Sequence, residues 1–187
     1  MASETPVPMT AKFGLSLSTR AVLFDWGTLD DLFDMARLAE DSGMFHGVWV
    51  GDNLLSKPRV ESMVTLSALA TKTKRVKLGT VCLASFPLRE PILFALQWAS
   101  LDMLSHGRTI LAVCNGPSGR DGPQFAHELE VMGGRRANAL GGWWKVFPFC
   151  AGCGETRSLA MPANIISSGM SIYSPSRCSS QCRVFSP

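Results

Sequence analysis

Small and polar residues cluster where four predicted β-strands end along the chain. These positions are 16–18, 51–53, 81–85 and 114–116. In a parallel α/β barrel the carboxyl ends of the strands meet on one face, where active sites form. Polar groups on that face can bond the edges of a flat polycyclic ligand, and small side chains leave room for its rings. The pattern therefore predicts a binding site for such a ligand.

The elements that position these residues alternate between strand and helix. Strands are predicted over 12–18, 47–51, 76–83 and 108–114, with an apolar segment of helical periodicity between each pair. A repeat of about 30 residues is typical of βαβ units and of a parallel sheet. Because such crossovers are right-handed, two architectures are open, a doubly wound sheet or a barrel.

Local signals predict where the helices begin and end. Thr28 caps the first helix with Asp31 as its capping-box partner, and Gly43 ends it. Pro58 and Pro91 are predicted in the first turns of the second and third helices. The third helix is apolar nearly all round, which predicts that it is well buried.

The strand–helix pattern weakens after residue 114. A short helix is predicted over 124–132 and a longer one over 135–147. Beyond residue 147 the chain is rich in Ser, Pro, Gly and Cys, and it is predicted to be irregular or disordered. We therefore divide the chain into a domain over 1–147 and a tail over 148–187. The abrupt change in composition favours a frameshift, a truncated gene or a fusion.

Composition and missing signatures narrow the class of protein. The chain has 187 residues and a net charge of +3, which suits one domain and predicts no nucleic-acid partner. We find neither a secretory signal nor an apolar stretch of membrane-spanning length, so a cytoplasmic protein without a membrane partner is expected. No dinucleotide fingerprint follows a predicted strand, which argues against a Rossmann NAD enzyme.

The six cysteines are expected to be reduced thiols or metal ligands, because disulfides are rare in cytoplasmic proteins. Cys150, Cys153, Cys178 and Cys182 could supply four thiolates to zinc, as a small zinc or redox module in the tail. The irregular spacing of the second pair, and the Ser and Arg residues around it, favour a tail without a metal site.

Three segments resemble a known family. They are GVWVGDNLLSKPRVE (47–61), RVKLGTVCLASFPLREP (75–91) and ASLDMLSHGRTILAVCNG (99–116). They resemble the amino-terminal half of the luciferase-like monooxygenases, which include bacterial luciferase and deazaflavin-dependent dehydrogenases. The resemblance implies an α/β fold of the (β/α)8 TIM-barrel type, truncated here to about the first four βα units. It also implies FMN as cofactor (deazaflavin is the alternative), reduced flavin from a flavin reductase, and a small organic substrate.

The resemblance also implies which residues bind the cofactor. Thr80, Val81 and Cys82 match the third-strand segment that runs behind the isoalloxazine ring. Several family members have a cis peptide bond there, and the Val81–Cys82 bond is the corresponding candidate. Asn115 and Gly116, after the fourth strand, are the remaining cofactor-binding candidates.

Catalytic residues are harder to assign. Asp52 and Asn53 follow the second strand, where family members place a polar residue near the flavin or substrate; capping or loop hydrogen bonds are the alternative. Cys114 matches a reactive thiol of bacterial luciferase, or it is a small buried apolar residue. Arg89 is predicted to be a helix-entry or interface contact, and Arg108 to be structural. Because Asn53 stands where the family often has a histidine or an acid, no general acid or base is assigned.

The predicted function is that of a truncated flavin-dependent oxidoreductase or monooxygenase of this family. Two alternatives are a non-catalytic flavin-binding or dimer-forming half-barrel remnant, and the zinc or redox module of the tail. A half barrel exposes strand edges and apolar surface, which predicts homo-oligomerisation. Flavin phosphate is held by loops of the later strands in such barrels, so we expect weak or absent flavin binding by the isolated chain.

Overall fold

Strands and helices alternate in the computed structural model, which describes residues 11–114, 116, 118–133 and 171–173. The strands are β1 (Phe13–Leu17), β2 (Phe45–Val50), β3 (Lys77–Thr80), β4 (Thr109–Val113) and β5 (Ser171–Tyr173). The helices are α1 (Leu29–Ser42), α2 (Ser62–Lys72), α3 (Pro91–Leu104) and α4 (Pro123–Val131). The four predicted strands are confirmed, although β3 is shorter than predicted. The helix predicted over 135–147 and the boundary at residue 147 lie outside the described residues.

The strands form one sheet in the order β1-β2-β3-β4-β5. β1 to β4 are parallel neighbours, and their register places Leu15 opposite Val48 and Val48 opposite Leu78. This arrangement confirms the α/β class with a parallel sheet. β5, a three-residue strand within the tail, pairs antiparallel with β4, and the other tail residues lie outside the described part of the chain. Without β5, the N–H and C=O groups along one side of β4 would lack strand partners, and such an edge readily accepts another strand.

One face of the sheet carries the hydrophobic core. Leu17 of β1, Val50 of β2 and Leu78 of β3 are almost completely buried on this face. Strand side chains alternate between the two faces of a sheet, so every second residue of each strand reaches this core. Leu66 and Leu69 of α2 belong to the same cluster. We call the opposite face of the sheet the inner face.

The local sequence determines both ends of α1. The Thr28 N–H donates to the Asp31 carboxylate at 2.7 Å, and the Asp31 N–H donates to the Thr28 hydroxyl at 3.1 Å, which confirms the predicted capping box. Gly43 ends the helix with a φ of 66°, a conformation that glycine adopts without steric cost. Pro91 opens α3, also as predicted.

The prediction that Pro58 opens α2 is wrong. The helix begins at Ser62, behind a Glu61 side chain that accepts the Val64 N–H at 2.8 Å. The backbone N–H groups just ahead of Pro58 donate to the carboxylate of Glu128 in α4 instead. Because this long-range contact takes the backbone donors, the segment stays a loop.

The burial of α3 differs from the prediction. Phe94, Trp98 and Leu101 face the core and are buried. The remaining large apolar side chains of the helix are exposed: Ile92, Leu93, Leu96, Met103 and Leu104. A sheet face can cover one side of a helix, so the prediction that α3 is well buried nearly all round is wrong. None of the described helices, α3 included, is long and apolar enough to cross a membrane.

Arg108 joins three elements at the amino-terminal end of the sheet. Its buried guanidinium donates to backbone carbonyls at the ends of α2 and α3 and ahead of β3, and to one hydroxyl. The acceptors are the carbonyls of Ala70, Thr73, Val76 and Ser105 and the Thr73 hydroxyl, at 2.7–3.1 Å. These contacts confirm the structural role predicted for Arg108.

Glu40 of α1 fixes the backbone that enters β3. Its carboxylate accepts the N–H groups of Lys74, Arg75 and Val76 at 2.6–3.0 Å. Burial alone would raise the pKa of Glu40, but these backbone N–H groups stabilise the charged form and hold the pKa below its ordinary value of 4.5.

We expect Glu40→Gln to lower the free energy of unfolding at neutral pH by about 1–3 kcal/mol, because hydrogen bonds to a charged group contribute about that much. The folded-state pKa lies below 4.5. The contribution is therefore fully present above pH 4.5 and is lost as the pH falls through the folded-state pKa. Urea unfolding of both proteins across this range measures it, with exposed Glu130→Gln as the control. A difference that does not change with pH would contradict the prediction.

Candidate functional site

The carboxyl ends of β1 to β4 lie along one edge of the sheet because these strands are parallel. The chain segments that follow neighbouring strands contact one another there. The Val81 N–H donates to the Val50 carbonyl at 2.9 Å, and the Leu83 N–H donates to the Ala112 carbonyl at 2.7 Å. The structure thus brings the predicted positions after β2, β3 and β4 together.

Asp52 is the most buried polar residue of the loop between β2 and α2, with 4% of its surface exposed. One carboxylate oxygen accepts from the Ser62 hydroxyl at 2.8 Å and from Arg89 at 3.0 Å. The other oxygen accepts the Ser85 N–H at 2.7 Å. These bonds tie the loop after β2 to the loop after β3 and to the start of α2. The contacts favour a positioning role for Asp52, and its catalytic role stays a prediction.

Arg89 is the cation of this cluster. Besides Asp52, its guanidinium donates to the Glu61 carboxylate at 2.7 Å and to the Ser85 hydroxyl at 2.8 Å. The guanidinium carbon also lies over the Phe94 ring, 5.7 Å from the ring centre. The predicted helix-entry contact is confirmed, since Arg89 immediately precedes the cap of α3. The sequence did not reveal its ion-pair partners, because Glu61 and Asp52 lie 28 and 37 positions earlier in the chain.

Asn53 belongs to the loop after β2. Its amide donates to the Ser56 hydroxyl at 3.2 Å, and its carbonyl oxygen accepts from Arg59 at 3.2 Å. Glu128 of α4 accepts the Ser56 N–H and so holds this loop from the other side. Asn53 therefore makes the loop hydrogen bonds that were the alternative to a role near the flavin or substrate. A contact between Asn53 and substrate stays a prediction.

Cys82 and Cys114 form a disulfide, with Cα atoms 6.0 Å apart. The expectation that both are reduced thiols or metal ligands is therefore wrong for this pair. The two cysteines follow neighbouring strands, and an isolated parallel β-bridge between Leu83 and Val113 holds the two segments side by side. The distance between the cysteine Cα atoms is therefore in the range that a disulfide requires. In this state Cys114 has no free thiol that could act as a nucleophile.

No cluster of metal-ligating side chains occurs in the part of the chain that the structure describes. The four tail cysteines, Cys150, Cys153, Cys178 and Cys182, lie outside that part.

The predicted cofactor-binding residues differ in accessibility. The Thr80 side chain is buried, and its hydroxyl donates to the Ala112 carbonyl at 2.8 Å. Val81 has 56% of its surface exposed. A Cβ atom at Gly116 would overlap the Ala84 carbonyl, so the chain passes close to the β3 loop there. Asn115 lies outside the described residues, and the cofactor contacts of all these residues stay predictions.

The Val81–Cys82 bond is trans, so the expected cis peptide is wrong. The Val81 N–H continues the hydrogen-bond ladder between β2 and β3 by donating to the Val50 carbonyl. A cis bond between non-proline residues costs about 3–4 kcal/mol and persists where surroundings enforce it. The regular ladder at this position supports the trans form instead.

Trp49 lies flat on the inner face of the sheet. A Cβ atom at Gly14 of β1 or at Gly79 of β3 would overlap its indole ring, so both neighbouring strands need glycine at these positions. The sequence pattern alone did not reveal this contact. A glycine inside a strand often marks a close approach by another group, and that signal was present at both positions.

Comparisons with known proteins agree with this geometry. The family model described as luciferase-like monooxygenase matches residues 9–134. An F420-dependent glucose-6-phosphate dehydrogenase of Amycolatopsis mediterranei is 34% identical over 114 residues, which cover 54% of this chain and 34% of the relative. The oxygenase component of a flavin-dependent trigonelline monooxygenase of Acinetobacter baylyi is 31% identical over 108 residues, covering 56% and 28%. The chain spans about a third of the length of these curated relatives.

Two solved structures show the same fold at low sequence identity. The oxygenating constituent of 3,6-diketocamphane monooxygenase from Pseudomonas putida has a TM-score of 0.52 at 16% identity, covering 74% of this chain and 40% of its own. Monooxygenase RslO1 from Streptomyces bottropensis has a TM-score of 0.51 at 22% identity, covering 70% and 41%. The parallel sheet described above is thus similar to the barrel enzymes of this group.

Proposed function

Since the chain belongs to the luciferase-like monooxygenase family, whose matched relatives are flavin- or F420-dependent oxidoreductases, we propose that it contributes the FMN-binding face of a flavin-dependent monooxygenase. The observation that carries this proposal is the open surface where β2 and β3 end. There an exposed Val81 lies beside Gly51, on the inner face of the sheet.

The residues at this surface fit a flat ring. Val50 and Thr80 are paired in the register and point towards the core face, so the next residues, Gly51 and Val81, point towards the inner face. The exposed valine side chain offers an apolar contact for one side of an isoalloxazine ring, and the space over Gly51 holds the Arg59 guanidinium beside it. Gly116 brings a third backbone segment close to the same edge. Bound reduced flavin would supply the electrons, while the protein positions the ring and limits access of water.

A deazaflavin-dependent dehydrogenase is the second candidate. The relative with 34% identity is named as F420-dependent, whereas the relative with 31% identity is named as a flavin-dependent oxygenase component. The second name supports a separate flavin reductase as the source of reduced flavin for this chain, with a small organic molecule as the substrate. A non-catalytic flavin-binding remnant would have the same ring surface without turnover.

Self-association is part of the same proposal. The side of α3 that points away from the core exposes a row of large apolar side chains, and such patches commonly lie in protein interfaces. A second copy of the chain would cover this surface. Sedimentation equilibrium of the full chain tests this point, and a monomer over the whole concentration range would contradict it.

Cofactor titration of the full chain tests the proposed function. We expect saturable, weak binding of FMN, detected by equilibrium dialysis, with weaker or no binding of F420. Val81→Glu should lower the affinity at least about tenfold, because a buried carboxylate beside the ring is unfavourable. Val64→Glu, on the solvent side of α2 with 64% exposure, is the matched control. Tighter binding of F420 would favour the dehydrogenase, and no binding of either cofactor to the folded chain would overturn the proposal.

A turnover assay distinguishes an active monooxygenase from a non-catalytic flavin-binding remnant. A flavin reductase with NADH would supply reduced FMN, and oxygen consumption would be followed with and without the chain. Protein-dependent stimulation by an organic substrate supports the monooxygenase. Binding of FMN without any change in its oxidation supports the remnant.

A further inference from the structure

We propose that Arg59, together with Arg20, binds an anionic group, a carboxylate or a phosphate, of a molecule that enters the candidate site. The inference rests on the proposed function only for the statement that this molecule is a substrate or the flavin cofactor. The anion site itself depends only on the positions of the two arginines.

Arg59 lies directly over the end of β2. A Cβ atom at Gly51 would overlap the Nη1 atom of Arg59, so the glycine makes room for the guanidinium on the inner face. The Nε atom donates to the Lys57 carbonyl at 3.3 Å, and Nη2 donates to the Asn53 side-chain oxygen at 3.2 Å. Two neutral acceptors thus hold the guanidinium in place and leave Nη1 without a hydrogen-bond acceptor among the described residues.

Arg20 brings a second positive charge to the same place from the loop after β1. The Val60 N–H donates to the Thr19 carbonyl at 3.4 Å, so the segments that carry the two arginines run side by side. The guanidinium carbon of Arg20 lies over the Phe24 ring, 5.3 Å from the ring centre. Burial lowers the pKa of Arg59, Asp52 partly opposes this shift, and the positive charge of Arg20 adds to it.

Neither arginine has an acidic partner among the residues that the structure describes. Within the described residues, no carboxylate oxygen lies within 4.0 Å of either guanidinium. Asp52 is near Arg59, but its two oxygens already accept bonds from Ser62, Ser85 and Arg89. The positive charge of Arg20 contributes to the lowered pKa of Arg59, and an anion bound at Arg59 would offset this unfavourable charge.

The position of the pair ties it to the candidate site. Gly51 lies beside Val81, one residue beyond the paired Val50 and Thr80. An anionic group on Arg59 would therefore lie next to the surface proposed for the isoalloxazine ring. Arginine presents a planar set of donors that matches the oxygens of a carboxylate or a phosphate.

The test uses the full chain without flavin, with inorganic phosphate and acetate as probes at constant ionic strength. The Nε–Hε signal of Arg59, observed by nitrogen-15 NMR, should shift saturably with at least one probe. Arg59→Met should weaken the binding, followed by calorimetry, at least about tenfold, as expected for the loss of a charge-assisted hydrogen bond. Arg59→Lys should retain part of the affinity, and Arg20→Met should weaken binding less than Arg59→Met.

The control is Arg75→Met, because Arg75 is an arginine with 67% side-chain exposure at the opposite end of the sheet. This variant should bind both probes as the unmodified chain does. Equal binding by the unmodified chain and a folded Arg59→Met variant would overturn the inference, as would a shift that follows ionic strength alone. Circular dichroism establishes that each variant is folded.

Comparison of FMN with riboflavin identifies the source of the anion. If Arg59→Met weakens binding of FMN and leaves that of riboflavin unchanged, the site holds the flavin phosphate, contrary to the expectation that loops of the later strands hold it. If both flavins bind as before while phosphate or acetate binding is lost, the site holds an anionic substrate. Flavin binding without anion binding refutes the anion site alone, and anion binding without flavin binding refutes the proposed function alone.

Discussion

Arg108→Met is expected to lower the free energy of unfolding by about 3–5 kcal/mol, because several buried carbonyl groups lose their hydrogen-bond donor together. The variant leaves four backbone carbonyls, those of Ala70, Thr73, Val76 and Ser105, without their side-chain donor. Burying an acceptor without a partner costs about 1–3 kcal/mol for each group that water cannot reach. Methionine fills much of the same volume as arginine. The loss of stability therefore comes from the missing hydrogen bonds rather than from a cavity.

Urea unfolding followed by circular dichroism measures this loss at low temperature, where a destabilised variant is still folded. Arg108→Lys should recover part of the stability, because a lysine retains the charge but cannot reach acceptors on three elements at once. Arg37→Met is the control, since Arg37 forms an exposed ion pair with Asp34 and such pairs contribute about 0–1 kcal/mol. A loss for Arg108→Met no larger than that for the control would contradict the structural role.

The second large effect is expected for Arg89→Met. Arg89 is the cation that contacts the buried carboxylate of Asp52, and removing it leaves that charge compensated by Ser62 and Ser85 alone. The expected cost is about 3 kcal/mol or more, because an unpaired buried charge is strongly unfavourable. The loop after β3 should also loosen, and the Ser85 amide should then exchange its hydrogen faster with solvent.

A double-mutant cycle with Asp52→Asn measures the interaction free energy between Arg89 and Asp52. Asparagine keeps the shape of the side chain but carries no charge, so Asp52→Asn should rescue part of the stability lost in Arg89→Met. We expect a coupling of about 1–3 kcal/mol between the two positions, as is common for residues in one hydrogen-bond network. Strict additivity of the two single changes would show that the ion pair does not hold the loops together.

Local sequence was sufficient where a structure depends on residues within about one helical turn. Thr28 and Asp31 are three positions apart and form the predicted capping box, and Gly43 ends the same helix. The same holds for the alternation of strands and helices, because apolar periodicity reports directly on which side of an element is buried. The parallel α/β sheet was predictable on this basis, and the family followed from motifs carried by the same segments.

Predictions failed where a distant contact overrode a local signal. Pro58 has the sequence context of a helix start, yet Glu128, 72 positions from Ser56, takes the backbone N–H groups ahead of it. Cys82 and Cys114 are 32 positions apart and meet because β3 and β4 are neighbours. The exposed side of α3 likewise depends on what packs against it, which its own composition does not specify.

At the candidate site, the sequence identified the strand ends and the polar residues that follow them, because the direction of parallel strands alone places those ends at one edge. It did not identify which side chains bond one another there. The partners of Asp52 and Arg89, and the position of Arg59 over Gly51, arise from strand order, register and loop path. These features bring together residues that are far apart in the chain, so only the tertiary structure decided which charges are neutralised and which remain open to a ligand.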